Sequence, residues 1–87
     1  MMETRVAVIS ILVEEAEGRS GDSVEQLNAL LHEYGQYIIG RMGLPYRAKR
    51  VNIICIAMDA PQNVISALSG KIGKLAGVSV KTAYTNQ

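Results

Sequence analysis

The sequence lacks the residue types that mark several classes of protein. It has no tryptophan, no phenylalanine, one cysteine (Cys55) and one histidine (His32) among 87 residues. A lone cysteine excludes an intrachain disulfide framework and fits a reducing cytoplasm, where we expect the protein to reside. Structural zinc sites usually combine several cysteines and histidines at short spacing. We therefore predict no metal or cofactor, and His32 is the one residue that suggests a metal ligand.

Neither sign of charge dominates, and no hydrophobic run is long. Nine Lys and Arg residues oppose eight Asp and Glu residues, for a formal net charge of +1. Proteins that bind nucleic acid usually carry a strong basic excess, so direct nucleic-acid binding is not predicted. The longest nearly apolar run, residues 6–13, is far shorter than the roughly 18 residues of a membrane span.

What the sequence does contain is aliphatic side chains in short segments. Hydrophobic residues make up 48% of the chain, which suffices for a globular domain. The length predicts one domain over residues 1–87. A domain this small buries only about 60–65% of the surface that its unfolded chain exposes. Association with further subunits is a common source of additional stability.

Four β-branched segments alternate with two amphipathic ones. Strands are predicted over residues 4–14, 36–42, 51–58 and 78–84, and loops over residues 15–21 and 43–50. The first helix is predicted from Asp22 or Ser23 to a left-handed Gly35. The second is predicted after a cap at Asp59 or Ala60, with Pro61 in its first turn and Gly77 at its close.

The order strand–helix–strand occurs twice, with apolar residues at steps of three, four and three in both helices. These residues are Val24, Leu27, Leu31 and Tyr34, then Ile65, Leu68, Ile72 and Leu75. Two such units with interleaved strands form a ferredoxin-like βαββαβ fold of the α+β class. It has a four-stranded antiparallel sheet with two helices on one face, and the first and third strands are central.

The uncovered face of that sheet is predicted to be apolar. An antiparallel sheet with one wet face should alternate apolar and polar residues, but the first and third strands are aliphatic on both faces. Several hundred Å² of exposed apolar surface is more than soluble monomers usually carry. A homodimer or homotetramer is therefore predicted, the alternative being that a loop or the C-terminal tail covers this face.

Two regions suggest a binding site. Arg41, Arg47, Lys49 and Arg50 form a basic cluster around Tyr46, to which an anionic metabolite or an acidic partner could bind, unless the loop is merely solvated. Residues 69–74 resemble a phosphate loop in composition, but their glycines fall within a helix and indicate close approach of another backbone. The candidate ligand-binding residues are Arg41, Tyr46, Arg47, Ser69 and Gly70. No arrangement of nucleophile, acid and base is evident, so an enzyme is not predicted.

Several segments resemble the iron-only hydrogenase system regulators, a family of small proteins. They are residues 31–35, 38–43, 45–47, 65–71 and 77–82. The resemblance implies an ACT-like form of the ferredoxin-like fold and a role in regulating transcription or the hydrogenase system. The leading hypothesis is a non-catalytic regulatory domain that binds a small ligand at a subunit interface. A protein-interaction or assembly subunit that uses the apolar face is the alternative.

A weaker similarity is to the C-terminal nickel-sensing domain of nickel-responsive repressors. In those proteins histidines bind metal between subunits, whereas only His32 stands in the corresponding stretch here. A metal sensor acting through His32 of several subunits is a further hypothesis. Residues 1–5 cannot supply the DNA-binding arm of such repressors, so any effect on transcription would require a partner.

Overall fold

The computed structural model describes residues 3–15 and 22–85. The predicted strands and helices are present there in the predicted order, and residues 16–21 of the predicted first loop lie outside the described residues. Neither α-helix of the described part has the length and hydropathy to span a bilayer. The elements are β1 (Arg5–Glu14), α1 (Asp22–Glu33), β2 (Ile38–Tyr46), β3 (Val51–Ala60), α2 (Gln62–Gly73) and β4 (Val78–Tyr84), with 3-10 helices at Gly35–Tyr37 and Arg47–Lys49.

The four strands form one sheet in the order β2-β3-β1-β4. Every neighbouring pair is antiparallel, and β1 pairs with β3 without interruption from Arg5 opposite Ala60 to Glu14 opposite Val51. The first and third strands are central, as predicted. With both helices on one face, this is the ferredoxin-like arrangement, so the predicted fold class is confirmed.

The core lies between the sheet and the two helices. Every second residue of β1 from Ala7 to Val13 is buried, and each helix contributes its predicted apolar stripe. A fully buried aliphatic side chain stabilises a fold by about 1.5–3 kcal/mol. The buried residues are Ala7, Ile9, Ile11, Val13, Leu27, Leu31, Ile54, Ile56, Met58, Ala60, Ile65, Leu68 and Ile72.

Side-chain contacts tie the helices to each other and to the loops. Lys71 on α2 donates a hydrogen bond to the Tyr34 hydroxyl at 2.9 Å and lies 3.6 Å from the Glu33 carboxylate. The hydrogen bond with Tyr34 is the largest of the influences that raise the pKa of Lys71 above its ordinary value of 10.5. The Ser23 hydroxyl on α1 donates to the Ala76 carbonyl at 2.6 Å. The C-terminal end of α1 is thereby joined to α2, and its N-terminal end to the loop before β4.

The predicted loop over residues 43–50 is wrong for its first half, because β2 continues to Tyr46. Gly43 and Pro45 are loop-forming residues in isolation, yet both pair with β3. A proline is tolerated in an edge strand when its nitrogen faces away from the neighbouring strand. The turn itself is short: the 3-10 helix Arg47–Lys49 leads to Arg50, which adopts a left-handed conformation at φ 52°.

Three predicted helix boundaries are also wrong. Gly35 is not left-handed, because it begins a 3-10 helix. Asp59 and Ala60 belong to β3, which leaves Pro61 as the N-cap residue of α2. Gly77 has a positive φ of 72°, but α2 has already ended at Gly73. Gly77 instead lies in the turn just before β4, beside the end of β1, where its carbonyl accepts a hydrogen bond from the Glu14 amide at 2.8 Å.

Candidate functional site

The sheet face opposite the helices, here called the open face, carries most of its apolar side chains on β1, β2 and β3. Across one row, Leu44 of β2, Ile53 of β3 and Leu12 of β1 are neighbours. Leu12 is 45% exposed and Leu44 is 54% exposed. The other apolar residues of this face are Val6, Val8, Met42, Tyr46, Val51, Cys55, Ala57 and Ala83. The predicted apolar surface is therefore present on this part of the chain.

On the open face the fourth strand is mostly polar, and so are the margins of the face. Lys81 and Ser79 of β4 lie beside Ser10 and Leu12 of β1. Glu14 lies at one end of the central strands, and Asp59 lies at the other end. The open face thus has an apolar centre and charges of both signs at its rim, a distribution typical of protein interfaces.

Cys55 lies in the middle of this face and is partly exposed, with a free thiol. The sequence places it among isoleucines, but those flanking residues, Ile54 and Ile56, point to the helix side and are buried. Cys55 faces Met42 and Ser10 across the two neighbouring strands. Neither of these two partners is a cation or a base.

A first cleft, the hairpin cleft, opens where β2 turns into β3, with a volume of about 280 Å³. The amide of Glu15 donates to the Arg50 carbonyl at 2.9 Å, and the Asn52 side-chain amide donates to the Glu15 carboxylate at 3.1 Å. These bonds attach the end of β1 to the hairpin. The lining residues are Glu15, Pro45, Tyr46, Arg47, Arg50, Val51 and Asn52.

The hairpin cleft is rich in hydrogen-bond donors. Arg47 and Arg50 both line it, and within residues 3–15 and 22–85 no carboxylate lies within ion-pair distance of either guanidinium. Asn52 adds an amide and Tyr46 a phenol. Guanidinium groups bind carboxylates and phosphates through paired hydrogen bonds. The arrangement therefore suits a small anion.

A second cleft of about 390 Å³, the helix cleft, lies between α1 and β2. Leu31 and Ile38 contribute apolar side chains, and Asn28, His32 and Arg41 contribute polar ones. Arg41 donates a hydrogen bond to the Asn28 side chain at 3.1 Å. His32 is exposed, and nowhere in the described part of the chain do three His, Cys, Asp or Glu side chains converge as a metal site would require.

Within one chain, the five predicted ligand-binding residues fall in three places. Tyr46 and Arg47 meet in the hairpin cleft, while Arg41 lines the helix cleft. The Ser69 hydroxyl lies 3.3 Å from that of Thr82, which fixes α2 against β4. Gly70 is exposed, and an added Cβ there would meet nothing within 4 Å. Among the residues that the structure describes, none makes a contact that requires glycine at position 70.

Of the other polar residues of the hairpin cleft, Arg50 belongs to the basic cluster that the sequence predicted, whereas Glu15 and Asn52 were not predicted. Asn52 is the one polar residue in the first eight of β3, which is the signal that could have revealed it. The left-handed conformation of Arg50 and the approach of Glu15 have no counterpart in the sequence. Both depend on how the end of β1 meets the hairpin.

Comparison with known proteins gives a family and a fold. The sequence profile of the TM1266-like family, described as "Iron-only hydrogenase system regulator, putative", matches residues 5–82. The structure of the uncharacterized protein TM1266 from Thermotoga maritima is similar, with 36% identity and a TM-score of 0.88 over 97% of this chain and 100% of that one.

A formyltetrahydrofolate deformylase from Pseudomonas putida KT2440 shares the fold alone. Its identity is 13% and its TM-score 0.64, over 94% of this chain but 29% of the deformylase. No curated protein matches the sequence significantly.

Proposed function

Because the chain belongs to the TM1266-like family of iron-only hydrogenase system regulators, we propose that it is a non-catalytic regulatory domain, in which two copies pack through their open faces and bind a small anion beside that interface. The observation that carries the proposal is the position of Tyr46. This side chain belongs to the apolar open face and also lines the basic hairpin cleft. A ligand in the cleft would therefore touch the surface on which a second copy sits.

The size of the open face supports a second copy as its occupant. Four strands of seven to ten residues, about 4.8 Å apart with about 3.4 Å per residue, cover about 500 Å². Two such faces together bury about 1,000 Å², the lower limit of specific interfaces. If about 65% of that area is apolar, burial contributes about 16 kcal/mol before the 4–15 kcal/mol cost of association.

The charges of the open face also permit packing against itself. Lys81 lies on the edge strand β4, while Glu14 and Asp59 lie at opposite ends of the central strands. No charged side chain occupies the apolar centre. Since charges of both signs lie at the rim, a two-fold arrangement meets no block of like charge, and rim charges keep water contact.

The hairpin cleft supplies the ligand chemistry. Arg47 and Arg50 provide two guanidinium groups, and Asn52 and Tyr46 provide neutral donors. A carboxylate or phosphate group can accept hydrogen bonds from both guanidinium groups and from the Tyr46 hydroxyl, whereas a neutral apolar ligand offers them no acceptor. Binding that changes the position of Tyr46 changes the free energy of association, and by linkage association changes ligand affinity equally. That coupling is what makes the domain regulatory.

The experiment is a thermal-shift titration with inorganic phosphate and, separately, with succinate. A ligand at one hundred times its Kd stabilises the folded state by about 2.7 kcal/mol, or about 10–20 °C in Tm for a domain of this size. The shift is expected for the native chain and is lost when Arg47→Gln and Arg50→Gln are combined.

The matched control is Lys49→Gln. Lys49 lies between the two arginines in the hairpin but does not line the cleft. This variant should keep the full shift if the cleft binds the anion. Equal losses in the Lys49 variant and the double arginine variant would mean that the anions only screen the general charge of the hairpin. The absence of a shift with either anion would contradict the ligand class.

A further inference from the structure

The edge strand β2 is far less buried than the other three strands. Eight of its nine residues are exposed, on both faces of the sheet, and only Ile38 is partly buried. The opposite edge strand, β4, alternates partly buried and exposed residues along its whole length. An edge strand usually avoids pairing with other chains by carrying charges, prolines or bulges. In β2 the bulge lies near Ile39 and the proline is at position 45. Of these protective features, residues 40–44 between them have one, the charge of Arg41.

We propose that residues 40–44 of β2 pair in antiparallel fashion with the same residues of a second copy, joining two sheets edge to edge. Pro45 shows which backbone groups are free to do so. It pairs with Asn52 in the ladder, and a proline nitrogen in an edge strand faces away from the neighbouring strand. The pairing has no irregularity between Gly40 and Tyr46. Arg41 and Gly43, at alternate positions, therefore direct their N–H and C=O groups outward as well.

A two-fold axis at Met42 gives the register that uses these groups fully. Arg41 of each copy then lies opposite Gly43 of the other, and the two pairs form four backbone hydrogen bonds. An added Cβ at Gly43 would meet nothing within 4 Å, so the long Arg41 side chain finds space across from it. A register with Arg41 opposite Arg41 instead places like charges directly across the strands, which is unfavourable.

A second copy fits this edge better than a strand of arbitrary sequence. The segment is self-complementary, because its single cation falls opposite a glycine and Met42 falls opposite Met42. The contact uses backbone groups at the edge and is separate from the open face, where side chains make the contact. An edge pair of five residues is small compared with specific interfaces. Its expected role is to join dimers formed through the open face into tetramers, although the pairing itself does not depend on those dimers.

The test compares Gly43→Pro with Gly43→Ala by sedimentation velocity and hydrogen exchange. Proline removes the outward N–H but no bond to β3, whereas alanine keeps the N–H. The Gly43→Pro variant should lose one association step, from tetramer to dimer or from dimer to monomer, while Gly43→Ala keeps the mass of the native chain. In the native chain, exchange of the Arg41 and Gly43 amides should slow by about tenfold or more between dilute and concentrated samples.

Equal masses for Gly43→Pro and the native chain would overturn the proposal. Fast exchange of both amides at every concentration would overturn it too, and that measurement needs no variant. Replacing Leu12→Lys on the open face separates this proposal from the preceding one. If edge pairing is absent, Leu12→Lys should still lose the association step that depends on the open face. If open-face packing is absent, the exchange of the Arg41 amide should still slow as concentration rises.

Discussion

Gly77 offers a quantitative test of how the end of β1 meets the start of β4. Its φ of 72° is a conformation that side chains disfavour, and a Cβ at this position would lie 2.8 Å from the Glu14 carbonyl oxygen. The left-handed conformation costs an alanine about 1–2 kcal/mol. Relieving the overlap costs about 1–3 kcal/mol by analogy with overpacked cores. Alanine also restricts the unfolded chain more than glycine does, which offsets about 0.4–1 kcal/mol of the lost stability.

The Gly77→Ala variant should therefore lose about 2–4 kcal/mol of unfolding free energy. For a domain of this size each kcal/mol shifts Tm by about 4–8 °C, so circular dichroism should report a fall of about 10–25 °C. Asparagine tolerates a positive φ but keeps the Cβ. Gly77→Asn should thus recover about 1 kcal/mol relative to alanine while remaining less stable than the native chain.

Gly70→Ala is the matched control, because Gly70 lies in α2 with open space around it. Alanine in a helix is favoured over glycine by about 1 kcal/mol, so this variant should melt at a higher temperature. A Gly77→Ala protein with native Tm would refute both the positive φ and the close contact with Glu14. A Gly70→Ala protein that is less stable would show that another chain or a ligand approaches that position.

Three further predictions concern side-chain contacts of α2. Tyr34→Phe should lower the pKa of Lys71 toward 10.5 in an NMR titration, because the main cause of its raised value is removed. The stability that this contact adds is present below pH 10.5 and is lost as pH rises through the folded-state pKa. An unchanged Lys71 titration in the variant would contradict the assignment. Ser69→Ala should lower the free energy of unfolding in urea by about 0.5–1.5 kcal/mol. If the 3.3 Å contact between the Ser69 and Thr82 hydroxyls is a hydrogen bond, the double variant Ser69→Ala with Thr82→Val should lose no more than the larger of the two single losses. Leu68→Ala should cost about 2–5 kcal/mol, since Leu68 is fully buried; a smaller loss in the same assay would mean that α2 packs loosely.

The fold was predictable because its central strands and helices carry strong periodic patterns. The alternation of Val78, Val80, Thr82 and Tyr84 predicted β4 with the bounds that the structure has. The helical steps of three and four residues likewise identified the side chains that the core buries. In these elements the local pattern and the tertiary packing favour the same structure.

The second strand was predicted poorly because its extension depends on pairing and hardly on burial. Gly43 and Pro45 indicate a loop when considered alone, and Tyr46 precedes a cluster of cations. The ladder to β3 keeps all three residues extended. An edge strand with almost no buried side chain leaves no periodic apolar pattern in the sequence, so its C-terminal half could not be recognised.

The candidate site was predicted in part. Tyr46 and Arg47 are consecutive in the chain, so their proximity in the hairpin cleft required no tertiary information. Arg41 is separated from them because β2 runs extended between residues 41 and 46 and directs Arg41 toward α1. Ser69 lies on α2, where it contacts β4. Composition identified the cations, but only the backbone path decides which of them line one cleft.

The most direct test of the open-face interface is sedimentation equilibrium of the native chain, Leu12→Lys and Gln26→Lys at micromolar concentration. Leu12 lies in the apolar centre of the open face, and Gln26 is exposed on α1, so both variants add the same charge at surface positions. We predict that the native chain and Gln26→Lys sediment as dimers or tetramers, and that Leu12→Lys sediments as a smaller species with native circular dichroism. A monomeric native chain, or a Leu12→Lys protein of unchanged mass, would contradict packing through the open face.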